Sequence, residues 1–112
     1  VSAQFACAVT DVAVSGTRRV ELEGARGTVE VAVVRDANGD LHAINDVCSH
    51  GAVSLSDGEV DGTTLECWLH GSVFDLSTGK PLSLPATEPV PVYPLIVVGE
   101  SVFVDVDAPK EN

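Results

Sequence analysis

The sequence is short of aromatic side chains, of positive charge and of long apolar runs, and it contains no methionine. Aromatics make up 4% of it although 45% is apolar, and valine supplies much of the difference. Valine is stiff at χ1 and packs well on pleated sheet, so the composition leans to β structure. No apolar run approaches the ~20 residues that a membrane helix needs, and no membrane partner is expected. Six basic residues face 17 acidic ones, a net charge of −11. Nucleic acid is a poor partner for such a surface. A basic protein surface is a good one, because opposite fields speed encounter. Val1 to Val14 lacks a basic region ahead of an apolar stretch, so no signal peptide is expected and the expected location is cytoplasmic. Three cysteines are an odd number, which argues against a disulfide framework. Internal repeats, low-complexity segments and any sustained helical period are also lacking.

What is present is a series of short strand signals. A chain of 112 residues is expected to form one domain, residues 1–112. Val20-Glu21-Leu22-Glu23 alternates and ends at Gly24. Val29, Val31 and Val33 alternate through Thr28–Arg35. Asn38-Gly39 is a hairpin turn signal, and Leu41–Asn45 returns from it. Thr64–Cys67 and Ser72–Asp75 read as short strands, and Ser77–Lys80 as a turn. Tyr93–Val98 and Ser101–Val106 read as a last hairpin. Cys7 fits a first strand as a small buried hydrophobe, and His42 is an ordinary strand residue. The expected class is all-β and antiparallel. Three stretches break the pattern: Asp46–Gly51, Trp68–Gly71, and Leu82–Pro94, which holds four of the six prolines. Prolines cannot lie inside a sheet, so these are the candidate functional loops.

The first loop carries Cys48-Ser49-His50 and the second Cys67-Trp68-Leu69-His70. Sixteen residues separate His50 from Cys67, giving Cys-x-His-x16-Cys-x2-His. Three readings compete. The four side chains could simply pack. They could hold one zinc ion, although zinc knuckles usually space ligands by two to four residues and the gap between Cys48 and His50 is one. Or each loop could span a two-iron centre, its cysteine on one iron and its histidine on the other, which uses the short spacing. Two histidines replacing two cysteines on one iron define a Rieske centre.

The chain resembles a Rieske ferredoxin over nearly its whole length. Cys48-Ser49-His50-Gly51 and Cys67-Trp68-Leu69-His70-Gly71-Ser72 match the two cluster-binding loops. Phe74–Lys80 and Leu84-Pro85-Ala86 resemble the segments that follow. The resemblance implies three antiparallel sheets with a small cluster-binding subdomain at about 46–91. It implies one [2Fe–2S] cluster, with Cys48 and Cys67 on the inner iron and His50 and His70 on the outer. Gly51, Trp68, Gly71, Ser72 and Pro85 would line it, and Leu82–Pro91 would cover one side. Ser72 could donate to a bridging sulfide or bond backbone. Trp68 could face solvent or fold over the cluster.

Ligand charge explains the histidines. Neutral imidazoles leave the oxidised centre uncharged, whereas thiolates in their place would make it doubly negative and harder to reduce. Rieske centres span about −150 to +300 mV, against about −400 mV for plant-type ferredoxins. Rieske proteins of respiratory complexes carry a disulfide between the loops and a tyrosine bonded to a ligand sulfur. Val53 and Leu69 stand at the disulfide positions and Phe74 at the tyrosine, so the low end of the range is expected.

The implied function is electron transfer, from a flavin-dependent reductase to a ring-hydroxylating dioxygenase, by transient docking of an expected monomer. With 112 residues filled by the Rieske fold, no catalytic domain is expected, and the expected role is an electron-transfer component, not an enzyme. Service to iron–sulfur cluster assembly is a second reading, and a zinc-stabilised interaction domain a third.

Overall fold

In a computed structural model, which describes residues 3–49, 51–69 and 71–109, ten strands form three antiparallel sheets. The strands are β1 (Gln4–Ala8), β2 (Thr17–Gly24), β3 (Gly27–Arg35), β4 (Leu41–Asn45), β5 (Glu59–Asp61), β6 (Thr64–Glu66), β7 (Val73–Asp75), β8 (Val92–Tyr93), β9 (Leu95–Val98) and β10 (Ser101–Val104). One sheet runs β2-β3-β4-β8, the second β1-β10-β9, the third β5-β6-β7. The expected all-β, three-sheet architecture is therefore present. No helix of the described residues is long and apolar enough to cross a membrane.

β3 organises the core, because it is buried on both faces. Val31 and Val33 point into one apolar cluster with Cys7, Leu22, Ala43, Tyr93, Val102 and Val104, against the β1-β10-β9 sheet. Ala32 and Val34 point the opposite way, toward Ile44, Leu65, Phe74, Leu76 and both loop cysteines. A strand's period of two divides one unbroken apolar run, Val31 to Val34, between two cores. The Asn38-Gly39 turn joins β3 to β4 as expected, with Gly39 at φ 90°.

Two expectations change. Tyr93–Val98 is not one strand. Val92 and Tyr93 pair with Ile44 and Ala43 in one sheet, while Leu95–Val98 pairs with β10 in another. Pro94 lies between them; without an N–H it cannot continue a ladder, and the chain changes sheet there. β5 was not expected. It pairs with β6 across a turn in which Gly62 has φ 60°, and Asp61-Gly62 is the turn signal that marks it.

Candidate metal centre

The first loop leaves β4 and closes on itself. Val47 bridges Ser54, Cys48 N–H donates to Val53 O at 3.0 Å, and Val53 N–H donates to Gly51 O at 2.9 Å. That return turns Cys48 inward, where 3% of it is exposed. The second loop joins β6 to β7. Cys67 N–H donates to Ser72 O at 2.7 Å and Gly71 N–H to Cys67 O at 3.0 Å. Gly71 has φ 76°, a left-handed conformation that glycine adopts without strain. Cys67 is as deeply buried as Cys48, and both lie in the same apolar cluster. The loops also meet at Gly51, where an added Cβ would stand 3.6 Å from Leu69 Cδ2.

The proline-rich third segment is tied to both loops by hydroxyl groups. Ser49 Oγ donates to Glu88 O at 2.5 Å. Ala86 N–H donates to the buried Ser72 Oγ at 3.0 Å, and Val73 N–H to Ser83 Oγ at 3.0 Å. Ser72 thus bonds backbone as an acceptor and keeps its own O–H to donate. Pro85 is half-buried beside Ala86, and Phe74 is fully buried. Trp68 stands in solvent, 54% exposed, and lines a cavity of about 290 Å³ with Asp57, Glu59 and Glu66. These serine bonds and the approach of Asp57 and Glu59 to Trp68 come from the fold and have no local sequence signal.

His50 and His70 lie outside the described residues. Among the described residues, no three potential metal-binding side chains gather in one place. Cys48 and Cys67 come together; Cys7 is in the other core, 4% exposed, where burial first and Asp11 second push its thiol pKa up. His42 bonds Asp36 at 2.8 Å, which fits its reading as a strand residue.

A family model for the Rieske [2Fe–2S] domain matches residues 2–94. The chain belongs to the Rieske [2Fe–2S] domain family. It is 42% identical over 102 residues to the 3-phenylpropionate/cinnamic acid dioxygenase ferredoxin subunit of Escherichia coli, covering 90% of this chain and 91% of that one. The counterpart from Shigella boydii is equally similar, 42% over the same coverage. Among solved structures, a chain in the complex of reduced oxygenase and oxidised ferredoxin in carbazole 1,9a-dioxygenase has a TM-score of 0.86 at 34% identity. That match covers 99% of this chain and 98% of the other. Sphingomonas yanoikuyae B1 ferredoxin has a TM-score of 0.83 at 30% identity, covering 92% and 97%.

The Rieske domain carries a [2Fe–2S] cluster, and the residues present fit its sulfur side. Two cysteines on facing loops share one apolar wall. A thiolate in such surroundings is costly unless a metal binds it. The zinc reading is set aside with the family assignment.

Proposed function

We propose that this Rieske domain is the electron-transfer ferredoxin of a ring-hydroxylating dioxygenase system in the cytoplasm. Its near full-length likeness to dioxygenase ferredoxin subunits carries the reading. Cys48 and Cys67 would hold one iron, and His50 and His70 the other. When bound, such a cluster takes up and returns a single electron. The chain's own residues do the rest. Val53, Leu65, Phe74 and Leu76 keep water from the cysteine side. Gly51, Gly71 and Ser72 shape the loops, and Pro85 holds the third segment beside them. Residues 46–91 form the subdomain that does this, within one domain spanning 1–112.

The electron would come from a flavin-dependent reductase and pass to a terminal oxygenase. The loops and the third segment suit transient docking, since Val47, Trp68 and Leu69 on the loops and Leu82 and Leu84 on the third segment are exposed. An apolar patch rimmed by acid matches a partner surface with a basic rim. The low end of the Rieske range of potentials is expected, because Phe74 has no hydroxyl to donate.

Low-temperature EPR of the reduced protein tests the ligand set. A rhombic two-iron signal is expected, and His50→Cys should lower the potential if the cluster still assembles. A colourless protein, or a His50→Cys variant of unchanged potential, would overturn the assignment. Reconstitution with a reductase and a dioxygenase of the aromatic-acid class tests the role. Product formation should require this protein, and turnover unaffected by its omission refutes the role.

A further inference from the structure

Asp46 is a fully buried carboxylate at the point where β4 turns into the first loop. Its Oδ1 accepts Ser56 N–H at 2.8 Å and its carbonyl accepts Leu55 N–H at 2.6 Å. Its own N–H donates to Glu30 O at 2.9 Å. Its Oδ2 has no hydrogen-bond partner among the described residues. The nearest cation is Arg19 on β2, whose Nε lies 3.4 Å from that oxygen. Yet the Arg19 hydrogen bonds go elsewhere. Nε–H donates to Glu30 Oε1 at 3.2 Å, and the terminal nitrogen donates to Glu21 at 2.9 Å and also to Glu30.

The loop's geometry does not need the charge. A neutral amide oxygen would accept Ser56 N–H equally well. A buried carboxylate with one oxygen unbonded is costly, and Arg19 at 3.4 Å is the cation that offsets it. One residue, Val47, separates it from Cys48, so their Cα atoms are at most about 7 Å apart. Charges interact strongly across an apolar interior, where water does not screen them.

We infer that Asp46 and Arg19 form a fixed charge pair that sets the reduction potential, Asp46 lowering it and Arg19 raising it. The inference rests on the reading of Cys48 as a ligand. Reduction adds one electron, and in the test dithionite supplies it. A negative charge held nearby opposes that addition, and a positive one favours it. Both residues act through position and charge and touch no reacting atom. Arg19 is 40% exposed, so solvent screens it and its effect is the smaller.

The test is the midpoint potential of the holoprotein at one pH and ionic strength. Asp46→Asn keeps the oxygen that accepts Ser56 N–H and removes the charge, so the potential should rise. Arg19→Gln should lower it, and Arg19→Lys should return it toward the parent value. Arg18→Gln makes the same change of net charge on an exposed neighbour and should leave the potential where it was. Opposite signs for Asp46→Asn and Arg19→Gln are the mark of electrostatics; a purely structural role would not produce them. If Asp46→Asn fails to hold the cluster, the two Arg19 variants decide alone. Shifts of one sign, or none, in proteins with intact EPR signals overturn the inference. A parent protein without a two-iron signal overturns the ligand reading instead.

Discussion

At the scale of single residues, polar groups placed on the backbone hold the ends of strands. Asp36 is buried at the β3–β4 turn, where Oδ1 accepts the N–H of Asn38 and of Asp40 and Oδ2 pairs with His42. The His42 bond first, and those backbone bonds after it, hold the Asp36 pKa below its ordinary 3.8. A carboxylate whose folded pKa is depressed contributes stability above its unfolded value, and that contribution is lost as pH falls through the folded one. Asp36→Ala should therefore cost about 1–3 kcal/mol at neutral pH, the worth of its charged hydrogen bonds. The difference from the parent should shrink below about pH 4. Urea unfolding at pH 7 and pH 3 measures both; an equal cost at the two pH values would refute the assignment. Cys7 lies in the other core, away from the loop cysteines, so Cys7→Ala should leave the visible spectrum intact and cost about 1 kcal/mol of stability.

At the scale of elements, the proline segment is held where Gly79 meets Val90. Gly79 has φ 75°, and a Cβ there would stand 2.0 Å from Val90 O. Val90 N–H also donates to Gly79 O at 2.9 Å. Gly79→Ala forces both a strained backbone and the withdrawal of the segment, so it should cost about 2–4 kcal/mol. It should also speed cluster loss on warming, read as bleaching of the visible bands. Stability and bleaching like those of the parent would show that the segment does not need this contact. Elements were legible in the sequence where their cause is local. Alternating valines placed β3, Asn38-Gly39 placed its turn, and the Cys-x-His and Cys-x2-His pairs marked both loops. Long-range causes were not legible. Ser49, Ser72 and Ser83 look like ordinary loop hydroxyls, yet they bond backbone across 10 to 39 residues. In the sequence Asp46 is only the first residue of a loop, and only the fold shows it buried. The break at Pro94 was written in the sequence, but the strong apolar pattern on both sides of it masked the change of sheet.

For the molecule as a whole, the distribution of charge matters most. β1, β9 and β10 carry no charged side chain. Asp57, Glu59 and Glu66 gather beside Trp68 and the second loop. Three of the 17 acidic residues thus stand beside Trp68 and the second loop, in a chain whose net charge is −11. Such a field raises the rate of encounter with a basic surface and is screened over about 10 Å at 0.1 M salt. Electron transfer to a cognate oxygenase under second-order conditions should slow steeply as salt rises, with the first-order step inside the complex little changed. Glu59→Gln with Glu66→Gln should flatten that salt dependence while leaving the potential nearly unmoved, because both side chains are exposed. Trp68→Ala should act differently. It removes an exposed apolar contact, so it should weaken binding at every salt concentration and leave the slope against salt as it was. Stopped-flow rates across a salt series separate the two effects. A double glutamine variant with the parent's salt slope would move the docking field away from this end of the protein.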